Sequence, residues 1–514
     1  MPSLTATTAG PKSWHVPASA AIRHLMVVIL LLALYAALSG CSRSSSSGPA
    51  RAKELIGQGK PAQAVKILSK WLEAKPDDVQ AMILLGHARE YMGNFDEARA
   101  AYSRALEQDP QYGEAWEARG RLLGCLQKPE AALKDLERAA QLQPHPASIM
   151  GIMGLIYFHE GKLAEAYSSF EKVNEYDAKE ESGYFGRAAV HIERKEYGAA
   201  IEEMNKLLTM QPENADAFLR RGFAYLADAQ PRKAIEDFNK ALELAPSMKS
   251  VYWYRAVAYR KLNALEKALK DYQRAALARP TDSILYLNQG VIFMMMGKYA
   301  EALEMLSRSI VLDPQNPLPY TNRARLHLRT GNYLASLHDL NKALEISQDH
   351  PWLLVKRAYI FKMMGRGDRA LKDLDKAVKL APDNPEAWLL RGSLFYNAKQ
   401  LERAISDLHR GISLNPEDPL GYQLLAEALL KKGATAEAMK QVALALKKES
   451  TFAPAYVTMG DIHLADSHIE RAVEAYSRAL NIYQYHFGAR LRRAKLFMEL
   501  NEEERAIMDI DQAA

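Results

Sequence analysis

Cysteine is nearly absent: Cys41 and Cys125 are the only two in 514 residues. Two thiols cannot build a disulfide framework or a four-thiolate zinc site. His-Glu-x-x-His and clustered Cys/His spacings are also missing, so no metal site is expected. Charge of one sign is scarce in excess, 67 Lys and Arg against 62 Asp and Glu leaving +5. That balance excludes a dedicated nucleic-acid binder. A mean hydropathy of −0.27 excludes a polytopic membrane protein. Gly59-Lys60, Gly161-Lys162 and Gly297-Lys298 lack the Ser or Thr that would follow in a phosphate-binding loop. With no nucleophile–base motif either, the chain is expected to be no enzyme and to carry no cofactor. What remains is 48% hydrophobic and 25% charged, the composition of a folded protein.

Residues 1–40 contain no Asp or Glu. They carry Lys12, Arg23 and His24, then an apolar run from Leu25 to Leu38. Fourteen residues fall short of the roughly 20 that span a bilayer as a helix. A basic stretch, a short apolar segment and small residues are the layout of a secretory signal peptide. The run ends Leu38-Ser39-Gly40-Cys41, which resembles the lipobox of bacterial lipoproteins. The resemblance implies cleavage before Cys41, a diacylglycerol thioether on its sulfur and acylation of the new N-terminus, hence a membrane-anchored protein. Ser42 follows, where Asp is the inner-membrane retention signal of enterobacterial lipoproteins, so the expected site is the cell envelope, at the outer membrane facing the periplasm. The alternative is a single-pass signal anchor. The chain therefore divides into a signal peptide (1–40), the lipidated cysteine with a Ser-rich tether (41–49), and a body (50–514). From Ser42 to Pro49 the tether reaches at most roughly 25–30 Å.

The body repeats with a period of 34. Pro76, Pro110, Pro144, Pro212, Pro246, Pro280, Pro314, Pro382 and Pro416 all fall on 76 + 34n. Twelve residues earlier stands Ala64, Ala98, Ala132 and so on to Ala472, with Ser336 the single exception in that series. Ten residues later stands only Gly or Ala, from Gly86 to Ala494. Aromatics recur four residues before that small residue, as at Trp116, Tyr184, Phe218, Tyr252 and Trp388. With these residues at positions 4, 8, 20 and 32, the pattern resembles the tetratricopeptide repeat through about fourteen copies. That resemblance implies an all-α fold: an α-solenoid of helix-turn-helix units, helix A then helix B, winding as a right-handed superhelix. Gly at position 15 should break A from B, and proline at 32 should end B.

Comparing the copies with one another exposes a covariation. Position 7 is Arg119, Arg187, Arg221, Arg255, Arg323, Arg357, Arg391 and Arg493, and position 23 of the same copies is Asp135, Glu203, Asp237, Asp271, Asp339, Asp373, Asp407 and Asp509. Copies without the Arg hold Ala101, Ser169, Met305, Gln441 and Ala475 there, none acidic. The two positions are equidistant from the turn, so an Arg–carboxylate pair between helices A and B is expected rather than a phosphate-binding stripe. His191, His327 and His463 share position 11, an aromatic core slot, and are read as packed substitutes for Tyr.

Positions 5, 9 and 12 form the second face of helix A, which lines the groove in this family. Chaperone adaptors place Lys at 5 and Asn at 9; here neither occurs, so a clamp for chaperone tails is not supported. Between residues 151 and 294 this face is almost wholly apolar, with Phe158, Phe185, Leu219, Phe223, Trp253, Leu287, Val291 and Met294 the strongest candidates to bind a partner. Packing of successive A helices against one another is the competing explanation of the same stripe. The expected function is a membrane-tethered scaffold that holds protein or peptide segments of an envelope complex. A periplasmic polysaccharide-binding or export-guiding module is the alternative, for which a polar, aromatic and carboxylate-bearing groove is expected.

Overall fold

The computed structural model describes residues 48–512. The signal segment 1–40, Cys41 and the tether as far as Ser47 lie outside the described residues. Among the described residues every regular element is an α-helix, 28 in all. The first, Gly48–Gly57, takes in Gly48 and Pro49, which the sequence reading placed in the tether.

Each repeat sets the same two helices. Helix A fills positions 1–13, as in Val79–Tyr91 and Pro385–Asn397, and helix B fills 17–30, as in Phe95–Gln108 and Leu401–Leu414. Side-chain acceptors just before helix A fix its start. Asp78 Oδ1 takes the Ala81 N–H at 2.9 Å and Asn214 Oδ1 the Ala217 N–H at 2.9 Å, satisfying donors the helix leaves free. Pro317, Pro351, Pro385 and Pro419 occupy the first helical position, where a missing N–H costs nothing.

The turn between A and B is the same in all copies. Position 15 has a positive φ in every one, from 70° to 89° at Gly59, Gly93, Gly161, Gly297, Gly331, Gly365 and Gly433. Gln127, Lys195, Ala229, Asn263, Lys399, Ser467 and Asn501 adopt it too, at 56–61°. The left-handed conformation is thus imposed by the hairpin, and glycine is merely its least strained occupant.

Helices A and B cross closely where position 8 meets position 24. A Cβ added to Gly154 would meet the Phe170 ring at 2.7 Å, one on Gly86 the Tyr102 ring at 2.3 Å, and one on Gly460 the Tyr476 ring at 2.4 Å. Gly120, Gly290 and Gly392 are also tightly met, by Leu136, Leu306 and Leu408 at 2.8 Å, whereas Ala324, Ala358 and Ala188 are accommodated opposite Leu340, Leu374 and Met204. The aromatics at position 4 do more than fill space. Trp116 Nε1 donates to Pro110 O at 3.0 Å, Tyr286 Oη to Pro280 O at 3.1 Å and Trp388 Nε1 to Pro382 O at 3.0 Å, tying each helix A to the end of the preceding repeat. Arg490 holds position 4 in the last copy and makes the equivalent bond from Nε to Gln484 O at 2.9 Å.

The chain divides into two compact units between Ala275 and Ala276. The core of the N-terminal unit begins around Leu68, Tyr102 and Leu122 and continues through Leu136, Phe170 and Phe238. In the C-terminal unit it runs through Leu306, Leu340, Leu374, Leu425 and Tyr476.

Candidate functional site

The eight position-7 arginines come first, because they hold the framework. Every one meets its position-23 carboxylate, at 2.6–3.0 Å. In seven the contact is bidentate, Nε and Nη2 each donating to one oxygen of an Asp. Glu203 is one methylene longer and offers only Oε2 to Arg187, turning Oε1 to Lys206 Nζ at 2.7 Å. These hydrogen bonds to the carboxylates hold the Arg221, Arg323 and Arg391 guanidinium groups above the usual arginine range. The groups are fully engaged inside the fold, so they are no stripe for an anionic ligand.

A second partner was missed in the sequence. Nη1 reaches back sixteen residues to helix B of the preceding repeat: Arg119 to Ser103, Arg221 to Asn205, Arg255 to Asn239, Arg323 to Ser307, Arg357 to Asn341, Arg391 to Asp375 and Arg493 to Ser477, at 2.7–3.1 Å. Position 25 being Ser, Asn or Asp ahead of these seven arginines was the signal available. Arg187 instead bonds Asn174 Oδ1 at 2.8 Å and Phe170 O at 3.1 Å. Arg51 of the first copy pairs with Glu54.

The position-11 histidines are packed. His191 stands edge-on to Tyr167 with 5.3 Å between ring centroids, and its Nδ1 lies 2.7 Å from Glu196 Oε2. His327 sits 3.9 Å from Asp339. Burial lowers the pKa of both His327 and His463.

The apolar stripe separates into two classes. Phe158, Leu287, Val291 and Met294 are only 7, 4, 7 and 6% exposed. Phe158 packs with Phe170 of its own helix B and Val190 of the next helix A. Leu287, Val291 and Met294 pack with Leu306 and with Leu326 of the next helix A. These four are inter-repeat core, and their assignment to a partner site is corrected accordingly. Phe185, Leu219, Phe223 and Trp253 are half-buried. Of these, Phe185 also packs on the core with Ala217 and Ala224 of the next helix A, and Leu219 on the core around Phe238 and Val251. Phe223 and Trp253 both stand T-shaped to Tyr254, with centroids 5.6 and 4.8 Å apart. Arg220 lies over the Phe185 ring, 4.2 Å from its centre.

Flanking copies carry polar groups on the same face. Glu90 Oε2 accepts from Tyr102 Oη at 2.8 Å and Arg121 Nη2 at 3.1 Å. His87, edge-on to Tyr102 at 5.7 Å, has its pKa driven down to about 3 by burial and by the charges of Arg121 and Lys53. In the C-terminal unit Lys362 Nζ donates to Ser393 Oγ at 2.8 Å, and Gln423 Nε2 donates to Glu427 Oε1 at 2.7 Å and Thr458 Oγ1 at 3.1 Å. Asp461 Oδ1 accepts from Tyr476 Oη at 2.6 Å and meets Arg492 Nε at 3.0 Å. Burial pushes the Glu427 carboxyl up and the Lys362 ammonium down from their ordinary values. Among the described residues no group of three or more His, Cys, Asp or Glu is placed to hold a metal ion, and no helix is long and apolar enough to cross a membrane.

Human tetratricopeptide repeat protein 13 is 28% identical over 176 residues, 33% of this chain and 20% of that protein. Human tetratricopeptide repeat protein 6 is 26% identical over 161 residues, 31% of this chain and 30% of that protein. The chain thus spans less than a third of either relative. Among solved structures, the crystal structure of the APC/C hetero-tetramer Cut9–Hcn1 aligns over 90% of this chain and 96% of that one, at 14% identity and a TM-score of 0.46. One tetratricopeptide-repeat family model matches residues 55–122, and a second matches 126–177, 219–284, 287–351 and 356–419. With the 34-residue helical hairpin in every described copy and family matches over most of the repeat body, the chain belongs to the tetratricopeptide repeat family, whose arrays are protein-interaction scaffolds.

Proposed function

We propose that this protein is a lipid-anchored scaffold of the cell envelope that binds segments of partner proteins along helix A of its N-terminal unit. The observation that supports the binding surface most directly is the half-burial of Phe185, Leu219, Phe223 and Trp253. Packing alone does not demand apolar residues at these positions, since Glu117 holds the place of Phe185, Leu219 and Trp253, and His87 and Arg121 that of Phe223, in earlier copies. An apolar strip with polar surroundings is the kind of surface that takes a helix or extended segment. The anchor rests on Leu38-Ser39-Gly40-Cys41 and the acid-free stretch before it.

Both parts are tested in one experiment. A photo-crosslinking residue at position 223 of the membrane-borne chain should capture protein, and exchange of Trp253 for Ser should abolish capture. Cys41→Ala should release the chain from membranes. Capture unchanged by the exchange at 253 removes the binding surface from the proposal; an unmodified Cys41 by mass spectrometry removes the anchor.

The polysaccharide reading keeps one specific support, and it lies in the C-terminal unit. There Tyr396, Glu427, Asp461, Lys362 and Gln423 make the polar, aromatic and carboxylate-bearing face that such a ligand requires. Retention on immobilised envelope polysaccharide, lost in Tyr396→Ala, is the outcome that favours it.

A further inference from the structure

Arg220 occupies position 6 of helix Ala215–Ala227, on the same side as Phe223 one turn later. Its Nε is buried and has no hydrogen-bond partner. Burial keeps its pKa below the ordinary arginine range, against the through-space pull of Asp216, Tyr254 and Glu181. The eight framework arginines offer the contrast, since each of them is clasped by a carboxylate and a second acceptor. Arg260, in the next repeat of the stripe, has an unpartnered buried Nε as well.

A cation held among apolar side chains without an ionic partner is unfavourable, and an apolar side chain of similar size would serve packing on Phe185 at least as well. A charge kept under those terms points to an anion that arrives with a ligand. The planar guanidinium matches a carboxylate, which can accept two of its N–H groups at once. Arg220 is flanked by apolar residues on both sides, Phe185 before it and Phe223 and Trp253 after it. The acidic group that meets it therefore belongs within an apolar segment and not at a chain end.

We propose that Arg220 reads an Asp or Glu side chain set inside an apolar segment of the partner protein. This deepens the protein-segment reading above and rests on it. The residues differ from those of the chaperone-tail clamp, whose Lys and Asn positions this chain does not fill.

The test uses the full chain in detergent and a pooled library of terminally blocked 12-residue peptides. Each peptide carries Leu, Ile, Phe or Ala at every position but one, and that one carries Asp, Asn or Lys. Retained peptides are read by mass spectrometry. Asp should exceed Asn by about tenfold or more at an internal register, the usual scale for a charge-assisted pair. Arg220→Met should erase that preference while still retaining apolar peptides, and Arg220→Lys should keep part of it. Because Arg220→Met removes an unpaired charge, its thermal midpoint should not fall. Equal retention of Asp and Asn peptides, an undiminished preference in Arg220→Met, or a clearly lowered midpoint in that variant overturns the proposal. Retention of no apolar peptide by the wild-type chain overturns the protein-segment reading itself, which separates the two failures.

Discussion

Arg255 clasps Asp271 with two parallel hydrogen bonds, Nε to Oδ2 at 2.7 Å and Nη2 to Oδ1 at 2.9 Å, across sixteen residues of chain. The Asp271 side chain is 3% exposed and that of Arg255 13%, so the pair is largely withdrawn from water, with Arg274 Nη1 a more distant second cation 3.7 Å from Asp271. Arg255→Met should cost about 3–5 kcal/mol by stranding the carboxylate, whereas Arg255→Met with Asp271→Leu should fall much closer to wild type. Urea unfolding of the four members of the cycle measures this. Additive losses would show that the two groups do not work as a pair.

Turn position 15 gives a prediction with little steric complication, because no atom lies within 4 Å of a Cβ built at Gly161 or Gly365. Only backbone strain is then at issue. Gly365→Ala should lower stability by about 1 kcal/mol, and Ala229→Gly, at a φ of 56°, should raise it by a similar or smaller amount. Opposite signs in denaturant midpoints are the expected result.

His87 should make the N-terminal unit acid-sensitive. Its folded pKa, about 3, lies below the ordinary 6.5, so between those values the unfolded chain binds a proton that the folded chain refuses. Stability is then complete above about pH 6.5 and declines as pH falls towards 3, by at most about 1.4 kcal/mol per unit. His87→Phe should shrink the difference in stability between pH 7 and pH 4.5 by about 2–3 kcal/mol. An imidazole that titrates above pH 5 by NMR in the folded protein contradicts the assignment.

The division of the stripe can be checked by two exchanges. Leu287→Ala removes a side chain packed between repeats and should cost about 2–5 kcal/mol. Trp253→Ser, at a half-buried site, should cost clearly less while affecting partner binding. Equal losses in thermal unfolding would place Trp253 in the core as well.

The architecture was legible because one period governs it: small residues at 8 and 20 and proline at 32 recur in register, and the helices begin and end where that register puts them. The Arg–carboxylate pairs were legible for the same reason, since absence at position 7 went with absence at 23. The stripe was not, because positions 5, 9 and 12 face both the neighbouring helix A and the open side. Phe158 and Phe223 look alike in sequence, yet Phe158 is buried in one core cluster with Val190 while Phe223 is only half-buried. Arg220 escaped for a different reason. Nothing in a sequence distinguishes an arginine with a carboxylate from one without, unless the partner also repeats.

Because a position-7 arginine bonds forward to its own helix B and backward to the helix B before it, it is also a rivet between neighbouring repeats. Arg187, Arg221 and Arg255 form an unbroken run of such rivets, as do Arg323, Arg357 and Arg391. Leu85, Met153, Gln289, Leu425 and Met459 leave their junctions without one. In a nearest-neighbour array the strength of each junction sets where cooperativity is interrupted. Under a pulling force, or in slow amide exchange, the riveted runs should let go as blocks, and the breaks between blocks should fall at the junctions that lack the arginine.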